Sequence, residues 1–176
     1  YRVTFERMGV GICHGTLKGR IIRANAALCD FLGYTEDELK TFTLREITHP
    51  DDLDADWRNM NRLIRGEQDK YVMEKRYIRQ DGAVVWGRLT VSLVRDPDGP
   101  AGHFIAVVED IDEAKRTEAA LRSSEAFSKS IVDSSRDCIK VLDRDGVLRY
   151  MSRGGRELMG VKDLSAVLGK SYLDFW

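Results

Sequence analysis

The sequence predicts an α+β domain in which two strands and several short helices precede a three-strand antiparallel meander and a long helix. The strongest signal is residues 84–95, where apolar and polar residues alternate along a whole strand. Turns rich in Asp and Gly bracket this strand, and both residues tolerate the positive φ that tight hairpins need. From residue 112 onward the chain is rich in strong helix formers, which predicts the helix.

The first part of the chain is predicted as a hairpin followed by a capped helix. Residues 11–16 and 20–24 are expected to form two short strands, with Gly19 at the bend between them. Asn25 is a typical N-cap, and the helix after it should run from 26 to 32 and end at Gly33.

Two more helices are predicted before the meander. Thr35 and Glu38 form a capping box, which begins a short helix. Pro50 suits the first position of a longer helix, and the aspartates after it complement the helix dipole. Four apolar residues of this longer helix are spaced to share one buried face: Leu53, Trp57, Met60 and Ile64.

The meander is predicted from strands at 70–79, 84–95 and 103–109, with turns at 80–83 and 96–100. The period of two in the middle strand assigns its side chains to opposite faces. One face should carry Val85, Leu89, Val91 and Leu93, and the other Trp86, Arg88, Thr90 and Ser92.

The chain then repeats its own beginning. Shifted by 127 positions, Ile12 aligns with Ile139 and Asn25 aligns with Ser152. Gly19 and Gly33 likewise align with glycines, Gly146 and Gly160. A repeat implies the same supersecondary unit twice. We therefore expect a first domain at 1–111, a linker helix at 112–132 and the N-terminal part of a second domain at 133–176.

Composition excludes several classes of partner. Of 176 residues, 28 are basic and 29 acidic, so a net charge of −1 gives no reason to expect nucleic acid or an anionic membrane. No apolar run approaches the roughly 18 residues of a membrane-spanning helix. Three scattered cysteines without disulfide or metal-ligand spacing suit a reducing cytosol, so a cytoplasmic location is expected, although a longer protein could carry an anchor elsewhere.

Together these motifs resemble the PAS family, in its form with a PAC-type C-terminal half. The resemblance rests on the stretches 10–12, 19–21, 25–28, 32–39, 47–52, 74–77, 81–86, 96–99 and 110–112. It implies a five-stranded antiparallel sheet with helices on one face. One departure is that the Thr of the family's Asp-Ile-Thr junction is Asp112 here, and the Arg two positions after that Thr is Ala114.

The resemblance also implies a function: a dimeric sensory input module of a bacterial signalling protein, with its output domain in the same polypeptide. A histidine kinase of a two-component phosphorelay is the favoured output, and a diguanylate cyclase or phosphodiesterase is the alternative. A ligand-free dimerisation module remains open as a further interpretation. The junction Asp110, Ile111 and Asp112 is expected to act as the hinge that relays the signal.

Two sets of residues are candidates for binding. A pocket between helices and sheet could take a small apolar or aromatic ligand, or the same side chains could simply fill the core. The candidate lining residues are Ile22, Asn25, Leu28, Cys29, Trp57, Met60, Met73, Leu89 and Val91. Trp86, Arg88 and Thr90 are a candidate interaction surface, with cover of the indole by neighbouring Arg and Lys stems as the alternative.

No catalytic or metal site is predicted, and the identity of any cofactor is unknown. Haem-binding PAS domains ligate iron from the long helix, which has no histidine here, and His49 beside Pro50 is better explained as its cap. Cys29 lies in a different context from the reactive cysteine of flavin photosensors. Adjacent carboxylates at 36–38 are explained by helix capping, and no nucleophile–base pattern or phosphate loop appears.

Overall fold

The computed structural model describes residues 2–95, 101–134 and 137–172. Two compact units divide the chain, Tyr1–Arg116 and Thr117–Trp176. The elements that begin in the first unit are α1 (Arg2–Arg7), β1 (Gly11–Gly15), β2 (Ile21–Ala24), α2 (Ala26–Leu32), α3 (Glu36–Leu39), α4 (Pro50–Ile64), β3 (Lys70–Ile78), β4 (Val84–Arg95), β5 (Ala101–Asp110) and α5 (Asp112–Ser134). Those that follow are β6 (Lys140–Leu142), β7 (Leu148–Met151), α6 (Arg153–Met159) and a 3₁₀ turn (Leu164–Ala166).

The five strands of the first unit form one antiparallel sheet in the order β2-β1-β5-β4-β3. The predicted meander is therefore confirmed as β3, β4 and β5. Gly82 has a φ of 81° in the first of its turns, whereas the second predicted turn, at 96–100, lies outside the described residues. Because β1 pairs with β5, the last strand before α5 lies in the centre of the sheet.

The core lies on one face of this sheet, beneath the helices. Val85, Leu89 and Val91 of β4 are buried in it, as their alternation predicted, and Leu93 packs against it. Helix α2 packs on β1, and α4 packs on β3 and β4. This arrangement is the predicted five-stranded sheet with helices on one face.

The predicted helix caps are present. Asn25 accepts a hydrogen bond from the Leu28 amide, and Gly33 adopts a left-handed conformation at the end of α2. Thr35 and Glu38 form the capping box of α3. His49 caps α4 through its side chain, with Pro50 in the first turn.

The buried face of α4 differs from the predicted one. Its buried residues are Asp56, Met60 and Leu63, whereas Trp57 is 44% exposed. The apolar stripe did not identify this face, because the stripe leaves out Asp56, a charged residue that is only 8% exposed. Asp56 is held there by partners on β3, which the periodicity of one helix does not reveal.

The second unit repeats the opening of the first, as predicted. The Ile12 amide donates to Asn25 Oδ1 at 2.8 Å, and the Ile139 amide donates to Ser152 Oγ at 3.1 Å. Asn25 and Ser152 also cap the helix that follows each of them. β6 and β7 form the corresponding two-stranded antiparallel sheet.

Helix α5 is 23 residues long and continuous, and it has no buried residues. Ile111 directly precedes the helix and is buried in the first unit. Within residues 2–95, 101–134 and 137–172, none of the helices, including α5, has both the length and the apolar character that a membrane-spanning helix needs.

Candidate functional site

The predicted pocket is largely filled by its own side chains. Leu28, Met60, Leu89 and Val91 are buried in the core cluster, and Cys29 and Met73 pack against it. Ile22 does not belong to this set, because it is 47% exposed. In the four-residue strand β2 the alternation turns Ile21 inward and Ile22 outward.

Asn25 is a structural cap with no capacity left for a ligand. Its Oδ1 accepts from the amides of Ile12 and Leu28, and its Nδ2 donates to the carbonyls of Phe5 and Val10, all at 2.8 to 3.0 Å. An amide side chain has two donor and two acceptor sites, so all four are used. Asn25 therefore joins α1, β1 and α2, and its side chain serves as a cap rather than as the lining of a pocket.

A buried ion pair lies in the middle of the core. Lys75 of β3 is 1% exposed, and its Nζ lies 2.5 Å from Asp56 Oδ2 and 2.8 Å from Thr48 Oγ1. The Tyr71 hydroxyl donates to Asp56 Oδ1 at 2.7 Å. Burial lowers the pKa of Lys75, and the adjacent carboxylate opposes that shift. The pair clamps α4 to β3 from inside the core.

The groups around this pair are held in their neutral forms. Burial raises the pKa of the Cys13 thiol to about 12, and burial together with Asp56 raises the pKa of Tyr71. A thiol is a nucleophile only as its thiolate, so Cys13 is unreactive at neutral pH. The buried hydroxyl of Tyr77 has no hydrogen-bond partner among the described residues.

A cavity of about 60 Å³ lies beside the ion pair, between the β1–β2 hairpin and α4. Its apolar lining is Leu44, Leu53, Trp57 and Met60, and its charged lining is Lys18, Arg45, Asp54 and Asp56. One water occupies about 10–15 Å³ by this measure, so the space holds roughly four to six waters. Two of the predicted pocket residues, Trp57 and Met60, thus line this cavity.

The outer face of the sheet carries a second clamp on α4. Arg76, next to Lys75 on β3, forms hydrogen bonds to Asp52 at 2.8 to 3.0 Å and to Asp51 at 3.1 Å. These contacts hold the pKa of Asp52 below its ordinary value. Adjacent residues of one strand point to opposite faces. β3 therefore holds α4 through Asp56 inside and through Asp51 and Asp52 outside.

Trp86 lies between this clamp and the start of α5. The guanidinium of Arg76 is 5.6 Å from the centre of its ring, and the Lys115 ammonium of α5 is 5.3 Å from it. Of the predicted interaction surface, Trp86 is thus half-buried beneath Arg and Lys side chains, whereas Arg88 is exposed. Arg88 is engaged in ion pairs with Glu74 and Glu109, and Thr90 is half-buried.

The junction residues attach α5 to the same tryptophan. The Trp86 amide donates to Asp112 Oδ1 at 3.2 Å, and the Ile111 amide donates to the Trp86 carbonyl at 3.1 Å. Asp110 accepts from the Asp112 amide at 2.9 Å, and Asp112 pairs with Arg116 at 2.7 Å. Lys115 also pairs with Glu74 of β3 at 2.6 Å. The first turn of α5 is therefore bound to two strands.

Sequence reasoning missed the charged residues that organise this site, namely Asp56, Lys75, Arg76 and Lys115. One signal was available for Lys75. Tyr71, Met73, Lys75 and Tyr77 alternate along β3, so Lys75 occupies an inward position. The remaining histidines, His14 and His103, stack on each other in strands. No cluster of three or more metal-ligating side chains occurs within residues 2–95, 101–134 and 137–172.

A central β1–β5 pair, helices on one face and a helix leaving from the last strand are the features of a PAS domain. Family profiles described as PAS fold match residues 21–108 and 132–176. The chain belongs to the PAS family, and it contains one PAS domain followed by part of another.

Curated relatives are signalling proteins. The probable diguanylate cyclase DgcE of Escherichia coli (strain K12) is 45% identical over 118 residues, which cover 67% of this chain and 11% of that protein. The sensor protein FixL of Bradyrhizobium diazoefficiens is 29% identical over 169 residues, which cover 95% of this chain and 33% of that protein. The chain thus spans a third or less of these two relatives.

Solved structures agree on the fold. The PAS domain of a protein from Colwellia psychrerythraea matches with a TM-score of 0.59 at 17% identity, covering 64% of this chain and 94% of that one. A domain of a sensor histidine kinase/response regulator from Geobacter sulfurreducens matches with a TM-score of 0.52 at 23% identity, covering 62% and 90%. At these identities the likeness is one of fold.

Proposed function

We propose that the chain is the cytoplasmic sensory input region of a bacterial signal-transduction protein and that its role is regulatory rather than catalytic. Residues 1–111 act as the sensor, 112–132 as the linker helix and 133–176 as the beginning of a second sensor. A small ligand or a partner biases the packing of α4 against the sheet. The observation that carries the proposal is the set of contacts that runs from α4 through Arg76 and Trp86 to α5.

These contacts support a physical route for the signal. A shift of α4 displaces Asp51 and Asp52, and with them Arg76 on β3. Arg76 and Lys115 both lie close to the indole ring of Trp86. The backbone amide of Trp86 also donates a hydrogen bond to Asp112. A change in the position of α4 therefore alters the contacts that the first turn of α5 makes with Trp86. The output is a shift between two populations of helix arrangement.

Removing the junction carboxylates is expected to uncouple sensing from output. In the full-length protein, Asp110→Ala with Asp112→Ala removes the side-chain bonds at the start of α5. We expect the output activity to lose its response to the stimulus while circular dichroism and the melting temperature of the first unit change little. Glu113→Ala, an exposed carboxylate in the same turn, is the matched control. A normal response in the double variant would contradict the relay.

The output domain is proposed to be a histidine kinase, in line with relatives named as sensor proteins and sensor histidine kinases. A diguanylate cyclase is the second candidate, favoured by the 45% identity to DgcE. Autophosphorylation from ATP and cyclic diguanylate synthesis from GTP, assayed on the full-length protein, separate the two.

The linker helix is also the proposed dimer contact. Between residues 117 and 132 the charged side chains Glu118, Arg122, Glu125 and Lys129 recur at spacings of four, three and four, which places them on one face. The rest of the helix surface is uncharged there and exposes Leu121, Phe127 and Ile131. Apolar side chains in this number are typical of a helix that pairs with a second copy.

Charges on the uncharged face should weaken the dimer. Phe127→Lys with Ile131→Lys places two ammonium groups where apolar contact is proposed. We expect the dimer dissociation constant from analytical ultracentrifugation to rise at least tenfold. Glu125→Lys introduces the same side chain on the charged face and should change it far less. Equal dimerisation of all three proteins would exclude this face as the contact.

A ligand-free interaction module is the second candidate function, and the filled core of the predicted pocket supports it. Mass spectrometry of small molecules released from freshly purified, denatured protein distinguishes the two candidates. A small molecule released in a stoichiometric amount supports the sensory function. The absence of any released small molecule supports the ligand-free interaction module.

A further inference from the structure

The cavity beside α4 has a distribution of charge that selects one class of small molecule. Its deepest polar group is the Asp56 carboxylate, which has an 11% exposed side chain. Its rim carries two exposed cations, Lys18 of the β1–β2 hairpin and Arg45 of the segment before α4. Between rim and floor lie apolar side chains, Trp57 and Met60 among them.

The floor can accept more hydrogen bonds than it receives. Asp56 accepts one bond from Lys75 and one from Tyr71, whereas a carboxylate has about four lone-pair sites. Asp54, two residues earlier on α4, is a second carboxylate that lines the same cavity. The unused capacity suits a donor with several N–H groups, such as an ammonium.

The rim is suited to the opposite charge. Among the ion pairs of residues 2–95, 101–134 and 137–172, none involves Lys18 or Arg45. Arg presents a fork of donors that matches a carboxylate, and Lys adds a point charge. Both cations are therefore available to an anionic group at the mouth of the cavity.

We propose that this cavity binds a short zwitterionic amino acid, with its ammonium on Asp56 and Asp54 and its carboxylate on Lys18 and Arg45. The volume of about 60 Å³ corresponds to roughly four to six waters. Glycine and alanine, with about five and six heavy atoms, are of that size. This inference rests on the proposed sensory function and names its ligand class.

The same geometry connects the ligand to the relay. An ammonium on the free lone pairs of Asp56 shares the negative charge that binds Lys75, and so weakens the ion pair that clamps α4 to β3. A weaker ion pair loosens α4 on the inner face of β3. On the outer face, the next residue of the strand, Arg76, also binds α4 through Asp52. Occupancy of the cavity therefore acts on both clamps of α4.

Binding is tested by isothermal titration calorimetry of the purified chain with three probes of similar size: L-alanine, ethylamine and propionate. We expect saturable binding of L-alanine, and at least tenfold weaker binding of the two probes that lack one charge. Each lost charged contact contributes about 1.5–3 kcal/mol, and tenfold corresponds to 1.4 kcal/mol. Equal binding of ethylamine or propionate, or no saturable binding of any probe, would overturn the proposal.

Variants at the rim complete the test without disturbing the core. Lys18→Ala with Arg45→Ala should weaken L-alanine binding at least tenfold and leave ethylamine binding unchanged. Arg58→Ala with Arg62→Ala, two exposed α4 cations outside the cavity lining, is the control and should bind L-alanine normally. If L-alanine fails to bind while the junction variant still loses its output response, the ligand class is wrong and the sensory function stands.

Discussion

Replacement of Asp56 by alanine is expected to destabilise the first unit by about 3–5 kcal/mol, because it leaves the Lys75 ammonium buried without its counter-ion. The Tyr71 hydroxyl loses its acceptor in the same step. Chemical denaturation followed by tryptophan fluorescence measures the effect, since Trp57 and Trp86 both lie in this unit.

A matched control lies on the same helix. Asp54→Ala removes an exposed carboxylate without an ion pair in the described part of the chain, and a change within about 0.5 kcal/mol is expected. The triple variant Asp56→Leu, Lys75→Met, Tyr71→Phe replaces the ion pair and the tyrosine hydroxyl by apolar groups. It should recover most of the loss, because Thr48 keeps its own hydrogen bond to the Leu44 carbonyl. A single Asp56→Ala variant as stable as the control would show that Lys75 finds another partner or is uncharged.

The same pair explains why sequence reasoning reached the fold more easily than the site. Strand alternation in β4, the caps of α2, α3 and α4, and the repeat around Asn25 and Ser152 are local signals, and each was confirmed. The site depends on which residues of distant elements meet. Lys75 and Asp56 are nineteen positions apart and become neighbours only when α4 packs on β3.

The incorrect predictions have the same origin. Trp57 was assigned inward because an apolar stripe outweighs a single carboxylate in a helix pattern, yet Asp56 is the buried residue. Ile22 follows another isoleucine in a strand of four residues, too short for its pattern to fix which side chain faces the core. A charge in an inward position is therefore informative: it marks a place where the core contains a polar partner.

Two groups of ion pairs hold α4 to β3: the buried pair of Asp56 with Lys75, and the outer pairs of Arg76 with Asp51 and Asp52. Mutation of the inner pair and mutation of the outer pairs should have different effects. The inner pair is buried, so its loss acts chiefly on stability, as argued for Asp56. Asp51 and Arg76 are more exposed and surface ion pairs contribute at most about 1 kcal/mol. The outer set therefore suits signalling better, because its contacts can be exchanged without unfolding the domain.

Asn25→Ala is expected to destabilise the first unit by about 3–5 kcal/mol, since it removes four hydrogen bonds at once, three of them buried. The amides of Ile12 and Leu28 lose their acceptor, and each buried amide without a partner costs about 1–3 kcal/mol. Helix α2 loses its N-cap in the same substitution. The free energy of unfolding from urea denaturation measures the loss.

The second unit supplies the control for this position. Ser152 accepts from two amides there, as Asn25 does, but donates to a single carbonyl, that of Asp137. Asn25→Ser should therefore keep both acceptor bonds and lose one donor bond, at a cost of about 1–2 kcal/mol. The bond from Asn25 to the Phe5 carbonyl also fixes α1, so amide hydrogen exchange in α1 should rise in the alanine variant before that of β4. Equal stability of the alanine and serine variants would mean that the acceptor bonds contribute nothing, and that a different interaction fixes the hairpin to α2.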